Sequence, residues 1–242
     1  MTDPAALAEQ RRPLGDEPVP AVVRLIAGTG PIEVAWRNEL GGTTYRAGDV
    51  HVKWNPRTTG IDLARERDRL AWISARHPAP PVLDWGEDAE AQWLVTRTLP
   101  GGPAVGDEWR ARPHEAIRAI ATGLRALHAI PTGDFPAGWT EAVWVGRTPP
   151  SIGPRPPILD PVIVHGDACA PNTLITPDGA WRGNVDFGDL AVGERWADLA
   201  IASLSLDWNF GEGHQGELYA AYGIAPDEER IAWYRALWHL ES

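Results

Sequence analysis

The chain has 242 residues, 43% hydrophobic and 23% charged, a globular composition with enough apolar material for one large domain or two small ones. A net charge of -11 argues against a general nucleic-acid binder, and a single cysteine excludes an internal disulfide or a multi-cysteine zinc site. No apolar run approaches the roughly 20 residues of a membrane span, and Met1-Thr2-Asp3-Pro4 carries an acid where a signal peptide carries a base, so a cytoplasmic protein is expected.

Residues 1–20 are rich in proline and charge and read as a loose N-terminal arm. From Val22 to Trp54 the pattern is strand-like: Ile32, Val34 and Trp36 alternate with polar or small residues, as do Val50, Val52 and Trp54. Arg46 to Asp49 reads as a hairpin turn. Asn38 to Thr44 reads as a second turn, whose glycines should leave backbone N–H groups accessible. Lys53 is the only lysine among 22 cationic residues, which suggests a site that needs a compact ammonium rather than a guanidinium.

Asp62 to Arg76 reads as a helix with Leu63, Leu70 and Ile73 on one face. Glu66 shares that face, so it needs a partner, and Lys53 on the preceding strand is available. Two more strands follow, Val82 to Trp85 and Trp93 to Thr96. Leu99-Pro100-Gly101-Gly102-Pro103 breaks the pattern and marks a boundary between residues 21–99 and residues 100–242. A helix is clear from Pro113 to Ala129, with Ile117, Ile120, Leu124 and Leu127 at helical spacing. Residues 131–160 hold seven prolines and four glycines and read as an irregular connection. Val162 to Val164 and Leu174 to Thr176 read as short strands, and Ala197 to Leu206 and Asp227 to Leu240 as helices. Strands first and helices second define an α+β chain in two lobes.

The most informative segment is Val164-His165-Gly166-Asp167-Ala168-Cys169-Ala170-Pro171-Asn172, followed by Asp186-Phe187-Gly188. Asp167, Asn172 and Asp186 are oxygen donors on loops, a set suited to Mg2+. Phosphoryl transfer needs a lysine on the phosphates, metal ligands, and a carboxylate that orients and deprotonates the attacking hydroxyl. Lys53, Glu66, Asp167, Asn172 and Asp186 supply these parts in kinase order. His165 has no second histidine or cysteine at zinc spacing and reads as a brace of its loop; Cys169 reads as a packed small residue rather than a nucleophile. The 13 tryptophans read mostly as core, with Trp208 and Trp238 as possible walls of an acceptor site.

His-Gly-Asp-x-x-x-x-Asn followed by Asp-x-Gly resembles the aminoglycoside phosphotransferases, the 3'- and 3''-enzymes in particular, which share the protein-kinase-like fold. Similarity extends to Glu66-Arg67-Asp68-Arg69-Leu70-Ala71-Trp72, Leu124-Arg125-Ala126-Leu127-His128, Trp196-Ala197-Asp198-Leu199-Ala200 and Tyr222-Gly223-Ile224-Ala225-Pro226-Asp227, covering roughly residues 32–240. The resemblance implies a small β-rich N-lobe that binds nucleotide and a larger, mostly helical C-lobe with the catalytic loop and acceptor site. It implies Asp167 as catalytic base, Asn172 and Asp186 as Mg2+ ligands, and Lys53, held by Glu66, on the α/β-phosphates of ATP. Gly41, Gly42 and Thr43 would cover the phosphates, backbone groups of Arg97 and Leu99 would meet the adenine, and Asp198 would brace the catalytic loop.

The acceptor side departs from the family. Residues 131–160 are shorter and richer in proline than the family's helical segment, so a more open site is expected. Where kanamycin-type 3'-enzymes often carry Arg after Asp-x-Gly, Arg-Asp on the next helix, and an acid near the C-terminus, this chain has Asp189, Leu204-Ser205 and Trp238. A polycationic sugar still needs carboxylates, and Asp189, Asp207, Glu212 and Glu241 are the candidates. The expectation is an ATP- and Mg2+-dependent kinase of a small hydroxylated molecule, an aminoglycoside first, acting as a cytoplasmic monomer or dimer without nucleic-acid or membrane partners. A kinase of another hydroxylated metabolite, a nucleotide-binding module without turnover, and, more distantly, a metal-dependent hydrolase are the alternatives.

Overall fold

The computed structural model describes residues 18–146 and 149–241, with the backbone alone for Val143 and Glu241. Residues 1–17 of the expected arm lie outside the described residues, and residues 18–20 carry no regular structure. The chain divides into two compact units. One holds the described residues up to Ser74 together with Pro80–Leu99; the other holds Ala75–Ala79 and the described residues from Pro100 onward.

The first unit opens with a helix, α1 (Ala21–Ala27), where the β-branched Val22 and Val23 suggested a strand. Packing overrides that local preference. Pro20 precedes the helix with φ -54°, Arg24 N–H donates to Pro20 O, and Val23 is buried in one cluster with Tyr45, Val52 and Val95. The chain then builds an antiparallel sheet from β1 (Ile32–Arg37), β2 (Thr43–Ala47), β3 (Val50–Pro56), β4 (Val82–Glu87) and β5 (Ala91–Arg97), in the order β1-β2-β3-β5-β4. The register pairs Lys53 with Thr44 on one side and Leu94 on the other, which fixes the lysine in a central strand. Between β3 and β4 lies α2 (Leu63–Ile73). Asp62 caps it by accepting from the Arg65 N–H at 3.0 Å. Leu63, Leu70 and Ile73 are buried as expected, and so are Glu66 and Arg69.

The second unit is mainly helical. Its strands form a three-stranded sheet, β6 (Gly102–Pro103), β8 (Thr173–Ile175) and β9 (Trp181–Asn184) in the order β6-β8-β9, and the antiparallel pair β7 (Pro161–Val164) with β10 (Ala191–Glu194). Its helices are α3 (Asp107–Arg110), α4 (Pro113–His128), α5 (Val143–Gly146), α6 (Arg195–Phe210), α7 (Gln215–Tyr222) and α8 (Glu228–Glu241). Pro113 occupies the first turn of α4, where its missing N–H costs nothing. Ile117, Ile120 and Leu124 of α4 pack with Leu199 and Leu206 of α6, Leu218 of α7, and Tyr234 and Leu237 of α8. Each such side chain contributes about 1.5–3 kcal/mol by leaving water.

The serines that interrupt the apolar pattern of α6 are fully buried but partnered. Ser203 Oγ donates to Ala200 O at 2.8 Å and accepts from the Tyr219 hydroxyl at 2.8 Å, while Ser205 Oγ accepts from the Ala170 N–H at 2.9 Å. The 131–160 connection is irregular, with one short helix and 3-10 turns at Thr132–Asp134 and Pro150–Ile152. It is also pinned: Arg155 donates twice to Glu141, each bond 2.6 Å. No described helix is long and apolar enough to cross a membrane.

Candidate active site

In the first unit, Lys53 Nζ donates to both oxygens of Glu66, at 2.7 and 2.8 Å. The pair joins the middle of β3 to the first turn of α2. Glu66 keeps 7% of its side-chain surface exposed and Lys53 keeps 22%. The carboxylate on the apolar face of α2 is thereby compensated, and the ammonium is held in one place while still reaching solvent.

The Asn38–Thr44 turn differs from the expectation. Its glycines do not present their N–H groups outward. Asn38 Oδ1 accepts from Leu40 N–H (3.1 Å) and Gly42 N–H (2.7 Å), and Asn38 O accepts from Gly41 N–H at 3.2 Å. Asn38, next to the glycines, competes for those donors because a short amide side chain closes a local turn at little entropic cost. Gly42 is sterically required: a Cβ there would lie 1.6 Å from Asn55 Oδ1. Thr43 opens β2 opposite Arg37 and Trp54. At the end of β5, Arg97 N–H donates to Pro81 O at 3.0 Å, and its guanidinium pairs with Asp49. Leu99 is the last residue of this unit.

In the second unit, the loop after β7 carries the His165-Gly166-Asp167 segment. Gly166 has φ +85°, and a Cβ on it would lie 2.4 Å from Asp189 O, so no other residue fits. Asp198, wholly buried at the start of α6, accepts from His165 N–H at 2.6 Å, from Gly166 N–H at 3.0 Å and from His128 Nε2 at 2.9 Å. Burial by itself would raise its pKa. The His128 hydrogen bond, the nearby imidazoles and the His165 N–H outweigh that and hold the carboxyl below its ordinary value. His128 Nδ1 bonds the Tyr222 hydroxyl at 2.9 Å, and Arg195 donates to the same hydroxyl at 3.4 Å.

His165 is the brace the sequence suggested. Its Nε2 donates to Val185 O at 2.9 Å, which leaves Nδ1 to accept from the Asp167 N–H at 3.3 Å. The tautomer follows from these partners, since a carbonyl only accepts and a backbone N–H only donates. Phe187 stacks on its ring with centroids 4.6 Å apart. Trp144 Nε1 donates to Gly166 O at 2.7 Å, so the proline-rich connection also grips the loop.

Asp167 and Asn172 are brought together: Asn172 Nδ2 donates to Asp167 Oδ2 at 3.0 Å and to Asp167 O at 2.9 Å. Asp167 Oδ1 is buried with no N–H or O–H partner among the described residues. Burial raises the Asp167 pKa above its ordinary value, and the Asp186 charge adds to the rise; His165, the Cys169 thiol and Asn172 oppose it. Asp186 is exposed, with φ +66°, the only positive φ at a non-glycine among the described residues. A strained backbone of this kind costs about 1–3 kcal/mol and persists where a side chain must be aimed. The Cys169 thiol is pushed well above its ordinary pKa, by burial first and then by Asp167, so it is an inert neighbour of the carboxylate rather than a nucleophile.

Of the acceptor candidates, Asp189 is half-buried beside Gly166. Asp207 accepts from Gln215 Nε2 at 2.8 Å and lies 3.9 Å from Arg235, so much of its charge is already answered. Glu212 is exposed, and the Glu241 side chain lies outside the description. Trp238 packs edge-on against Trp144, centroids 5.0 Å apart, and Trp208 is half-buried.

Sequence reasoning missed the residues that hold the loops from behind. His77 Nε2 bonds Asn184 Oδ1 at 3.0 Å, and Asn184 Nδ2 donates to Asn172 O (3.3 Å) and Thr173 Oγ1 (3.2 Å). Burial lowers the His77 pKa to about 4, against the Asn184 bond and helped by His165 and His128. Gly123 of α4 lets this corner close, since a Cβ would lie 2.7 Å from Trp181 Nε1. His128 stood within a noted segment, but nothing local marked its partner.

An antiparallel sheet with a lysine–glutamate pair, and a helical unit whose His-Gly-Asp loop and Asp-Phe-Gly turn present Asp167, Asn172 and Asp186, define a phosphotransferase of the protein-kinase-like class. The phosphotransferase enzyme family matches residues 39–153 and 151–237, and the chain belongs to the aminoglycoside phosphotransferases within it. It is 33% identical to an aminoglycoside 3'-phosphotransferase of Streptomyces fradiae, over 75% of this chain and 81% of that one. It is 30% identical to a streptomycin 3''-kinase of Streptomyces griseus, over 91% and 97%. An aminoglycoside phosphotransferase of Streptomyces rimosus, solved in complex with ADP and streptomycin, is similar with TM-score 0.68 and 26% identity, over 91% of this chain and 96% of that one.

Proposed function

We propose that the chain transfers the γ-phosphoryl group of ATP to a hydroxyl of an aminoglycoside, with Asp167 as the base. The observation that carries this reading is the state of the Asp167 carboxylate. One oxygen is fixed by Asn172; the other is buried without an N–H or O–H donor, and the group's pKa is raised. A buried acceptor left in this condition is costly unless a donor arrives, and a substrate hydroxyl is such a donor. In the reaction the hydroxyl oxygen bonds to the γ-phosphorus, the bond from that phosphorus to the β–γ bridging oxygen breaks, and ADP departs. The hydroxyl proton goes to Asp167 and from there to water.

Lys53, held by Glu66, meets the α/β-phosphates as a compact cation. Gly41, Gly42 and Thr43 cover the phosphates, for which the Asn38 hydrogen bonds must open or the contacts must be made by other groups of the turn. Since the Arg97 N–H is engaged by Pro81, the adenine contacts in this reading run through the Arg97 carbonyl and the Leu99 backbone. The donor set fits Mg2+: Asn172 turns its Nδ2 to Asp167, which directs its amide oxygen elsewhere, and Asp186 is an exposed carboxylate on an aimed backbone. Bound there, Mg2+ would neutralise charge on the phosphate oxygens.

The relatives named for aminoglycosides and for streptomycin favour a cationic amino sugar, and the net charge of -11 is compatible with one. A cytoplasmic enzyme is the reading that fits a reaction fed by ATP. The test is ADP release with Mg-ATP across a panel of aminoglycosides, streptomycin included, with Asp167→Ala as control. Turnover with at least one drug, absent in the variant, supports the proposal. Nucleotide binding with no drug-dependent turnover overturns the acceptor and directs the search to other hydroxylated metabolites.

A further inference from the structure

The surface of the second unit carries a cluster that phosphoryl transfer does not use. His114, in the first turn of α4, and His214 and Glu217, at the start of α7, place one ligand atom each within 4.8 Å of one another. His114 Nδ1 bonds Glu217 Oε2 at 2.7 Å, and His214 Nδ1 lies 3.9 Å from the same oxygen. The two imidazole centroids are 6.0 Å apart, near edge-on. His114 is exposed while His214 and Glu217 are half-buried, so two ligands are anchored and the third is free to adjust.

We propose that His114, His214 and Glu217 form a binding site for a borderline transition-metal ion of the Zn2+ class, with water completing the coordination. Two imidazoles and a carboxylate are the donors such ions prefer, whereas Mg2+ and Ca2+ favour oxygen alone. Ligand atoms on one tetrahedral zinc lie about 3.3 Å apart, since each bond is about 2.0–2.1 Å. The observed 2.7 Å for His114 with Glu217 and 3.9 Å for His214 with Glu217 bracket that value, and closing both to it takes sub-ångström shifts of the Glu217 carboxylate and of the exposed His114 ring. Binding requires the His114 Nδ1 lone pair, so the imidazole then carries its proton on Nε2. The carboxylate supplies the charge that makes the site cation-selective. The helix N-termini oppose a cation there, so an affinity in the micromolar range is expected rather than that of a closed structural site. A bound ion would tie α4 to α7 across 103 residues of sequence and stabilise the folded state by mass action.

The test uses the full-length, untagged chain with excess Mg2+ present, so that oxygen-rich sites are already filled. Zn2+ binding is measured by equilibrium dialysis, and Co2+ binding by its visible absorption, for wild type, His114→Gln and His214→Ala. The expected result is one zinc equivalent in wild type, weakened at least about tenfold in each variant, with imidazole-type cobalt absorption lost in parallel. The melting temperature without metal is the baseline for each chain, and zinc should raise it above that baseline for wild type alone. Zinc binding of equal strength in wild type and both variants overturns the proposal, as does the absence of a zinc equivalent in wild type at concentrations up to about a hundred micromolar.

Discussion

His128 Nε2 donates to Asp198 Oδ2 at 2.9 Å across 70 residues of sequence, and the same carboxylate receives the N–H groups of His165 and Gly166. One buried charge thus ties the end of α4 and the start of α6 to the backbone just before Asp167. The loop that carries Asp167 is held by residues outside its own segment.

Replacing Asp198 with Asn keeps the shape but puts an NH2 group where a donor must be accepted. Leaving a buried donor unsatisfied costs about 1–3 kcal/mol, so chemical denaturation should show a loss of that size and turnover should fall with it. The Asp198 carboxyl is held below the ordinary value of 3.8. Its contribution is therefore present above pH 3.8 and lost as pH falls through the lower folded value. Acid unfolding followed by circular dichroism should show this step in wild type and not in the Asn variant.

Asp167 has the opposite sign. Its folded pKa is raised, so the ionised group disfavours the fold, by an amount that grows as pH rises from the ordinary value to the folded one. Asp167→Asn should melt at or above the wild-type temperature at pH 7, with the difference vanishing below pH 3.8. Turnover should fall by about 10²–10⁴-fold, the usual contribution of a general base. The acid limb of the wild-type kcat/KM profile should lie above the ordinary carboxylate range. A variant that is both less stable and still active would contradict the role given to this group.

Removing the Lys53 side chain leaves Glu66 charged and nearly buried. A fully buried pair broken in this way costs about 3–5 kcal/mol; because Lys53 reaches solvent, Lys53→Ala should cost less, about 1–2 kcal/mol by the same principle, measured by denaturant titration. KM for ATP should rise as well. Lys53→Arg should restore stability better than turnover, because a planar fork replaces a point charge.

Gly166→Ala places a methyl group 2.4 Å from Asp189 O on a backbone with φ +85°. The strain of a side chain in that region is about 1–3 kcal/mol before the clash is counted. Thermal melting should show at least that loss, and turnover should fall with it, because Asp167 is the next residue.

The candidate residues for the chemistry were legible because their order and spacing are local. His-Gly-Asp-x-x-x-x-Asn and Asp-Phe-Gly sit on short loops behind strands, and the loops form where they were read. Glu66 was legible as a misplaced charge on an apolar face, which only a cation such as Lys53 could answer. Helix α1 was not legible, because Val22 and Val23 carry strand preference and only packing against Tyr45, Val52 and Val95 reverses it. The closed Asn38 turn was missed because glycine content signals backbone freedom but not which neighbour takes the freed N–H groups. Helix α7 escaped notice for a similar reason: its eight residues are too few for a period to stand out.

Residue types, local periodicity and the order of motifs along the chain determined the sheet and α2 of the first unit, the main helices of the second, and which residues are candidates for the chemistry. Tertiary structure alone decided which oxygen of Asp167 stays unpartnered, which nitrogen of His165 carries the proton, and what holds the loops in place. The last of these rests on pairs far apart in sequence, 107 residues for His77 with Asn184 and 70 for His128 with Asp198. No local period encodes such a meeting. A hydrogen bond of that span exists only after the intervening chain has packed, when burial makes an unmet donor or acceptor costly and so selects the arrangement in which most are met.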